Sequence, residues 1–150
     1  MSGQIAQHQL HHTNNEETTS AQQQAQTKAK NNKYQAKFQK DHTFDVRSQE
    51  STKILAKYPD RIPLIVEKTP GNNVLPQISK SKFLVPSDIT ITQFMFIIRK
   101  YLKLDPSVSI YLFCDGVIPN AGESINNVYI NHKDADGFLY LFYAGENTFG

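Results

Sequence analysis

Thr90-Ile91-Thr92-Gln93-Phe94-Met95-Phe96-Ile97-Ile98-Arg99-Lys100-Tyr101-Leu102 is the stretch that decides the fold. Thr90 and Gln93 stand three apart, the spacing at which a hydroxyl and an amide satisfy each other's backbone N–H at a helix start. Ile91, Phe94, Ile97, Ile98, Tyr101 and Leu102 follow at spacings of three and four, which predicts a helix with a broad buried face. A helix of this kind needs an apolar sheet to cover. Phe138-Leu139-Tyr140-Leu141-Phe142-Tyr143 supplies a strand so apolar that a central position is expected. Arg61 to Lys68 is a second strand, rich in β-branched residues, with Pro63 pointing to an edge position or to the strand's start. Lys82-Phe83-Leu84-Val85 reads as a short exposed-edge strand, flanked by lysines and closed by Pro86.

Outward from these elements the pattern stays mixed. Val108 to Phe113 is expected to be a strand, turned by Asp115-Gly116. Ser124 to Tyr129 reads as a short helical segment, and Asp45 to Tyr58 as a helix that Pro59 ends. That last helix has one narrow apolar stripe, at Ile54, Leu55 and Tyr58. The order is helix, two strands, helix, strand with turn, short helix, strand. It predicts an α+β domain with one long helix across a sheet face.

Residues 1–33 are rich in Gln, Asn, Thr and His and hold no aromatic residue, so they are expected to be a disordered arm. Order is expected from about residue 34, with a helical subdomain at 34–59, a core at 60–144 and a flexible tail at 145–150. The net charge of +2 hides a basic stretch from Lys80 to Asp105 and an acidic one from Pro106 to Gly150. This split, with no nucleic-acid-reading motif, argues against a nucleic-acid partner. No apolar run approaches a membrane span, and the lone cysteine, Cys114, rules out an internal disulfide. A soluble, cytoplasmic chain is expected. No catalytic group is assembled in the sequence, so no enzyme and no cofactor are expected. Cys114 ends a strand, and His42 and His132 lie far from it without a motif, so it reads as inert packing. His8, His11 and His12 read as loose tail residues, and Asp134 and Asp136 as solvated charges, so no metal is expected.

Several further motifs, in order, carry a resemblance. Tyr58-Pro59-Asp60-Arg61-Ile62-Pro63, Val66-Glu67-Lys68 and Phe83-Leu84-Val85-Pro86-Ser87-Asp88 come first. Gln93-Phe94 with Ile98-Arg99-Lys100, Asp136-Gly137-Phe138-Leu139-Tyr140 and Gly145-Glu146-Asn147-Thr148-Phe149-Gly150 complete them. Together they resemble the autophagy-related ubiquitin-like modifiers, the family of yeast autophagy protein 8 and mammalian GABARAP, from about Phe38 to Gly150. The resemblance implies a ubiquitin-like β-grasp with two added N-terminal helices. It also implies a C-terminal Gly150 that an activating enzyme adenylates and takes as a thioester. A conjugating enzyme then passes it to the amine of phosphatidylethanolamine. A glycine leaves the carbonyl uncrowded during that transfer, and two acyl chains hold a protein on a membrane where one is marginal. A cysteine protease is implied for processing or delipidation. Autophagosome and vacuole- or lysosome-related membranes are the implied location once lipidated.

The resemblance further implies that cargo receptors dock aromatic-x-x-aliphatic motifs along the edge strand by β-strand addition. The aromatic anchor is expected among Glu50, Ile54, Pro63, Ile65, Lys82, Leu84 and Phe138. The aliphatic one is expected among Phe83, Val85, Pro86, Ile89, Phe94 and Ile97. Lys80, Lys82 and Arg61 are expected to meet acidic residues of the motif. Tyr111, Leu112 and Phe113 are implied as a second docking strand. The chain departs from the family at Thr43, where relatives carry proline, which predicts a looser helix–helix junction. It departs again at Tyr101, where they often carry a third basic residue, and in the longer turn from Thr69 to Ser79. Two alternatives stand beside the modifier: a protein-to-protein modifier, and a non-covalent peptide-binding scaffold in vesicle or microtubule-linked traffic.

Overall fold

A computed structural model describes residues 35–71 and 74–146. The chain divides into two units, Met1–Lys33 and Tyr34–Gly150, and every described residue belongs to the second. The expected arm, Asn72-Asn73 and the last four residues, Gly150 included, lie outside the described residues.

Helix α1 (Lys37–Asp41) opens the fold and is followed by α2 (Phe44–Lys57). Strands β1 (Arg61–Lys68) and β2 (Lys82–Pro86) come next, then α3 (Ile91–Leu102), β3 (Tyr111–Phe113), α4 (Ile125–His132) and β4 (Leu139–Ala144). The sheet order is β2-β1-β4-β3, with β1 antiparallel to β2, parallel to β4, and β3 antiparallel to β4. This is the expected α+β arrangement, consistent with a β-grasp sheet carrying extra N-terminal helices. Among the described residues no helix is long and apolar enough to cross a membrane.

The sheet's two faces follow from strand alternation. Ile62, Leu64 and Val66 of β1, Phe83 and Val85 of β2, and Leu139, Leu141 and Tyr143 of β4 join one core. Ile91, Phe94, Ile98 and Leu102 of α3 close over it, with Ile125, Val128 and Tyr129 of α4. The capping box at Thr90 forms as the spacing predicts, with Gln93 N–H donating to Thr90 Oγ1 and Thr90 N–H to Gln93 Oε1. The buried face of α3 is narrower than expected: Ile97 is half-buried and Tyr101 is exposed at its edge.

Pro63 is a correction. Of its two expected places, an edge strand or the strand's start, the edge is overturned: it sits near the start of a central strand and is buried. Val66 N–H donates to Ser81 O (2.8 Å), so those two residues form a hydrogen-bonded pair. Antiparallel pairs alternate, which makes Pro63↔Leu84 and Ile65↔Lys82 non-hydrogen-bonded pairs. A missing N–H at Pro63 therefore takes nothing from the β2 ladder. The β4 ladder begins only at Leu64.

Other boundaries moved for local reasons. The strand expected from Val108 starts at Tyr111, because Val108 N–H folds back to Asp105 O and Asp105 forms a turn with Ser107. Helix α1 is too short for any periodic signal. It is fixed from outside, by the Glu67 carboxylate accepting from Lys37 N–H (2.7 Å) and Phe38 N–H (3.1 Å). Thr43 caps α2 by accepting from Val46 N–H (3.3 Å).

Candidate functional site

Strand β2 is an edge of the sheet, with only β1 beside it among the described residues. By the same alternation, the N–H and C=O groups of Lys82 and Leu84 point away from β1, toward the open side. Arg61 covers one of them loosely, its Nη1 donating to Leu84 O at 3.4 Å. The edge thus presents a short row of backbone groups that another extended chain can satisfy.

Side chains of β2 alternate between two surfaces. Phe83 and Val85 lie in the α3-facing core with Phe94, all buried, and Ile89 and Ile97 pack half-buried against them. Pro86 is exposed at the strand's end. The Phe83 ring meets Phe94 edge-on at 5.8 Å and Tyr101 at 5.1 Å. Lys80 Nζ stands over both Phe83 (5.0 Å) and Tyr101 (5.6 Å), a cation–π arrangement that holds its charge beside the edge.

The opposite surface carries the other set. Ile65 and Phe138 are wholly buried, Pro63 is buried, and Ile54 and Leu84 are half-buried. Lys82 pairs with Glu50, so one ion pair bridges β2 and α2. Phe38, absent from the expected residues, lies edge-on against Phe138 at 5.2 Å, with Lys82 Nζ 5.3 Å from its ring. Its only sequence signal was aromaticity at the expected onset of order. The strand thereby divides the two expected sets of pocket residues between its two faces, and β2 is the element they share.

A buried polar network holds α2 against this surface. Arg47 Nη1 meets Asp136 Oδ2 at 2.6 Å, and Tyr140 Oη donates to the same oxygen at 2.5 Å. Ser51 Oγ donates to Asp136 O, and Phe138 N–H to Asp136 Oδ1 (2.8 Å). Asp136 is 1% exposed, so the expectation of a solvated charge there is corrected. Burial, and then the hydrogen bond to Asp136, push the Tyr140 phenol far above its usual range, so it remains a donor. Gly137 completes the join: its φ is 93°, and a Cβ there would lie 2.9 Å from Ser51 Cβ and closer still to Oγ.

Tyr111, Leu112 and Phe113 form β3, at the far edge from β2. Leu112 is core; Tyr111 is half-exposed and lines an apolar cleft of about 250 Å³ with Met95, Phe96, Ile110 and Ile118. The two expected docking surfaces therefore do not merge. Strand β4, which leads toward the tail, lies between β1 and β3.

Comparison with known proteins agrees with this architecture. Residues 46–150 match the family model described as "Autophagy protein Atg8 ubiquitin like". Autophagy-related protein 8e of Arabidopsis thaliana is 51% identical over 113 residues, covering 75% of this chain and 92% of that protein. Autophagy-related protein 8 of Mycosarcoma maydis is 49% identical over 113 residues, covering 75% and 95%. The crystal structure of Trypanosoma brucei ATG8 superimposes with a TM-score of 0.72 at 33% identity, covering 75% of this chain and 97% of that one. The chain belongs to the Atg8 family of ubiquitin-like autophagy proteins.

Proposed function

We propose that this chain is a ubiquitin-like modifier of autophagy, joined through Gly150 to phosphatidylethanolamine, that recruits receptors on the open edge of β2. The observation that supports the recruiting half is the edge itself. Lys82 and Leu84 offer outward backbone groups, and apolar side chains stand on both faces of the same short strand. An extended peptide with two apolar side chains three positions apart, in the pattern aromatic-x-x-aliphatic, sends them to opposite faces and suits this arrangement. Its aromatic side chain is assigned to Glu50, Ile54, Pro63, Ile65, Lys82, Leu84 and Phe138, where Phe38 and Lys82 must yield. Its aliphatic side chain is assigned to Ile89, Ile97 and Pro86 above a floor of Phe83, Val85 and Phe94. Lys80, Lys82 and Arg61 are the cations for acidic residues before the aromatic one, and Arg61 releases Leu84 O as the peptide arrives.

The conjugating half rests on family membership. Adenylation converts the Gly150 carboxylate into an electrophile, and the nucleophilic cysteines belong to the activating and conjugating enzymes. The chain itself catalyses nothing in this scheme, and it needs no cofactor. Residues 1–33 are assigned as an arm outside the core, and a cysteine protease is the partner for delipidation. The lipidated form is assigned to autophagosomal membranes and the free form to the cytoplasm.

Titrating the full chain with a labelled acidic aromatic-x-x-aliphatic peptide tests the docking surface. Leu84→Asp and Lys82→Glu are each expected to weaken binding by about tenfold or more, since a hot-spot truncation costs on the order of 2 kcal/mol. Unchanged affinity in both, with the fold intact, would remove β2 as the docking edge.

A further inference from the structure

Cys114, Asp115 and His132 bring sulfur, carboxylate and imidazole together, and we infer that they form a zinc-binding site. One ligand atom from each residue lies within 4.8 Å of the others. His132 Nδ1 is 2.9 Å from Asp115 Oδ2. Nothing in the sequence spacing announces this, because 17 residues separate Asp115 from His132. The fold makes the meeting, by setting the end of α4 against the turn after β3.

Each ligand is held by a different structural device. Cys114 is buried, and two backbone bonds pin it to Val117, Cys114 N–H to Val117 O at 2.8 Å and Val117 N–H to Cys114 O at 3.0 Å. Asp115 and Gly116 between them take positive φ, 52° and 75°, which closes a two-residue hairpin turn. His132 is the last residue of α4. The thiol is therefore the fixed member. Asp115 and His132 are partly exposed and already face each other as a pair.

The geometry and the donor set suit zinc. Bond lengths of about 2.3 Å to sulfur and 2.0–2.1 Å to nitrogen or oxygen place tetrahedral ligands roughly 3.3–3.6 Å apart. The donors already lie within 4.8 Å of one another, and the imidazole–carboxylate pair at 2.9 Å must open slightly to admit the ion. A mixed thiolate, imidazole and carboxylate set favours zinc over magnesium or calcium, which take oxygen ligands. The partly exposed side leaves the fourth position to water. On binding, the Cys114 sulfur–hydrogen bond breaks, its proton goes to solvent, and a sulfur–zinc bond forms without change of oxidation state. Thiolate and carboxylate together cancel the ion's two positive charges, so the core beside Cys114 receives no net charge. The bound ion would tie the β3 turn to the end of α4, on the side of the sheet away from β2.

Cobalt(II) substituted for zinc in the full, reduced chain tests the assignment. Cys114 is the chain's single cysteine, so a thiolate-to-cobalt charge-transfer band reports on this site alone. Histidines elsewhere, such as His8, His11 and His12, give no such band. The expected result is a saturable one-to-one band with tetrahedral visible absorption, lost on adding zinc. Asp115→Asn and His132→Gln should each raise the midpoint by about tenfold or more, as loss of a metal-site interaction commonly does. Cys114→Val should abolish the band while keeping the circular dichroism of the fold. At one fixed zinc concentration the melting temperature should rise more for the parent chain than for His132→Gln, whose position is partly exposed. Absence of the band, or a band with the same midpoint in Asp115→Asn and His132→Gln, would overturn the site.

Discussion

At the scale of single residues, Asp136 carries the most consequence. Its carboxylate is fully buried and is held by Arg47, Tyr140 and the Phe138 N–H. Removing the cation leaves a buried charge short of its partner, which is far worse than never having had the pair. Arg47→Ala is therefore expected to lower stability by about 3 kcal/mol, read as an earlier urea midpoint. Asp134 beside it behaves in the opposite sense. Its carboxyl titrates above the ordinary 3.8, first because it is partly buried and then because Asp136 is close, although the Asp136 N–H works against the shift. A folded-state value above the unfolded one means that folding favours the protonated form. The resulting stability is complete below pH 3.8 and is lost as pH rises through the folded value. Asp134→Asn should accordingly melt at a higher temperature than the parent chain at neutral pH, and the advantage should close as the pH falls through the folded value and be gone by pH 3.8. A constant difference across that range would show that burial of this carboxylate is not a pH-linked cost.

At the scale of elements, the N-terminal helices and β2 together form the proposed docking surface. Helix α2 reaches β2 through Glu50 and Lys82 and reaches the β4 side through Arg47 and Ser51. Its N-terminus depends on the Thr43 hydroxyl. Thr43→Ala should cost about 1 kcal/mol, the usual worth of such a cap, measured by thermal or urea unfolding. No loss there would mean that the start of α2 is held by its other contacts, such as Arg47 Nε donating to His42 O. These elements also show what a sequence makes legible. Thr90 to Leu102 and Arg61 to Lys68 announce themselves because their signals are local: a cap, a three-four spacing, a β-branched run. The edge position of Lys82–Pro86 was legible from its lysines and closing proline. Pro63 misled because its tolerance depends on ladder alternation with Ser81 and Leu84, which only pairing reveals. Helix α1, the Asp136 network and the Cys114–Asp115–His132 cluster were hidden for the same reason. Their partners are Glu67, Arg47 and residues across the fold, so no window of sequence contains them.

At the scale of the whole molecule, the chain separates its tasks in space. One edge of the sheet, β2, is open for peptide addition, and β3 lines a separate apolar cleft at the other. Strand β4, between β1 and β3, is the last strand among the described residues. The proposed membrane attachment is chemical, through Gly150, and among the described residues no helix is long and apolar enough to cross a bilayer. The scaffold alternative shares the β2 edge but has no use for Gly150, which makes that residue the point of separation. Incubating the full chain with the family's activating and conjugating enzymes, ATP and phosphatidylethanolamine liposomes, and reading the intact mass, tests this most directly. The account expects a single adduct of phosphatidylethanolamine less one water, absent when Gly150 is deleted. No adduct, or the same adduct after that deletion, would contradict it.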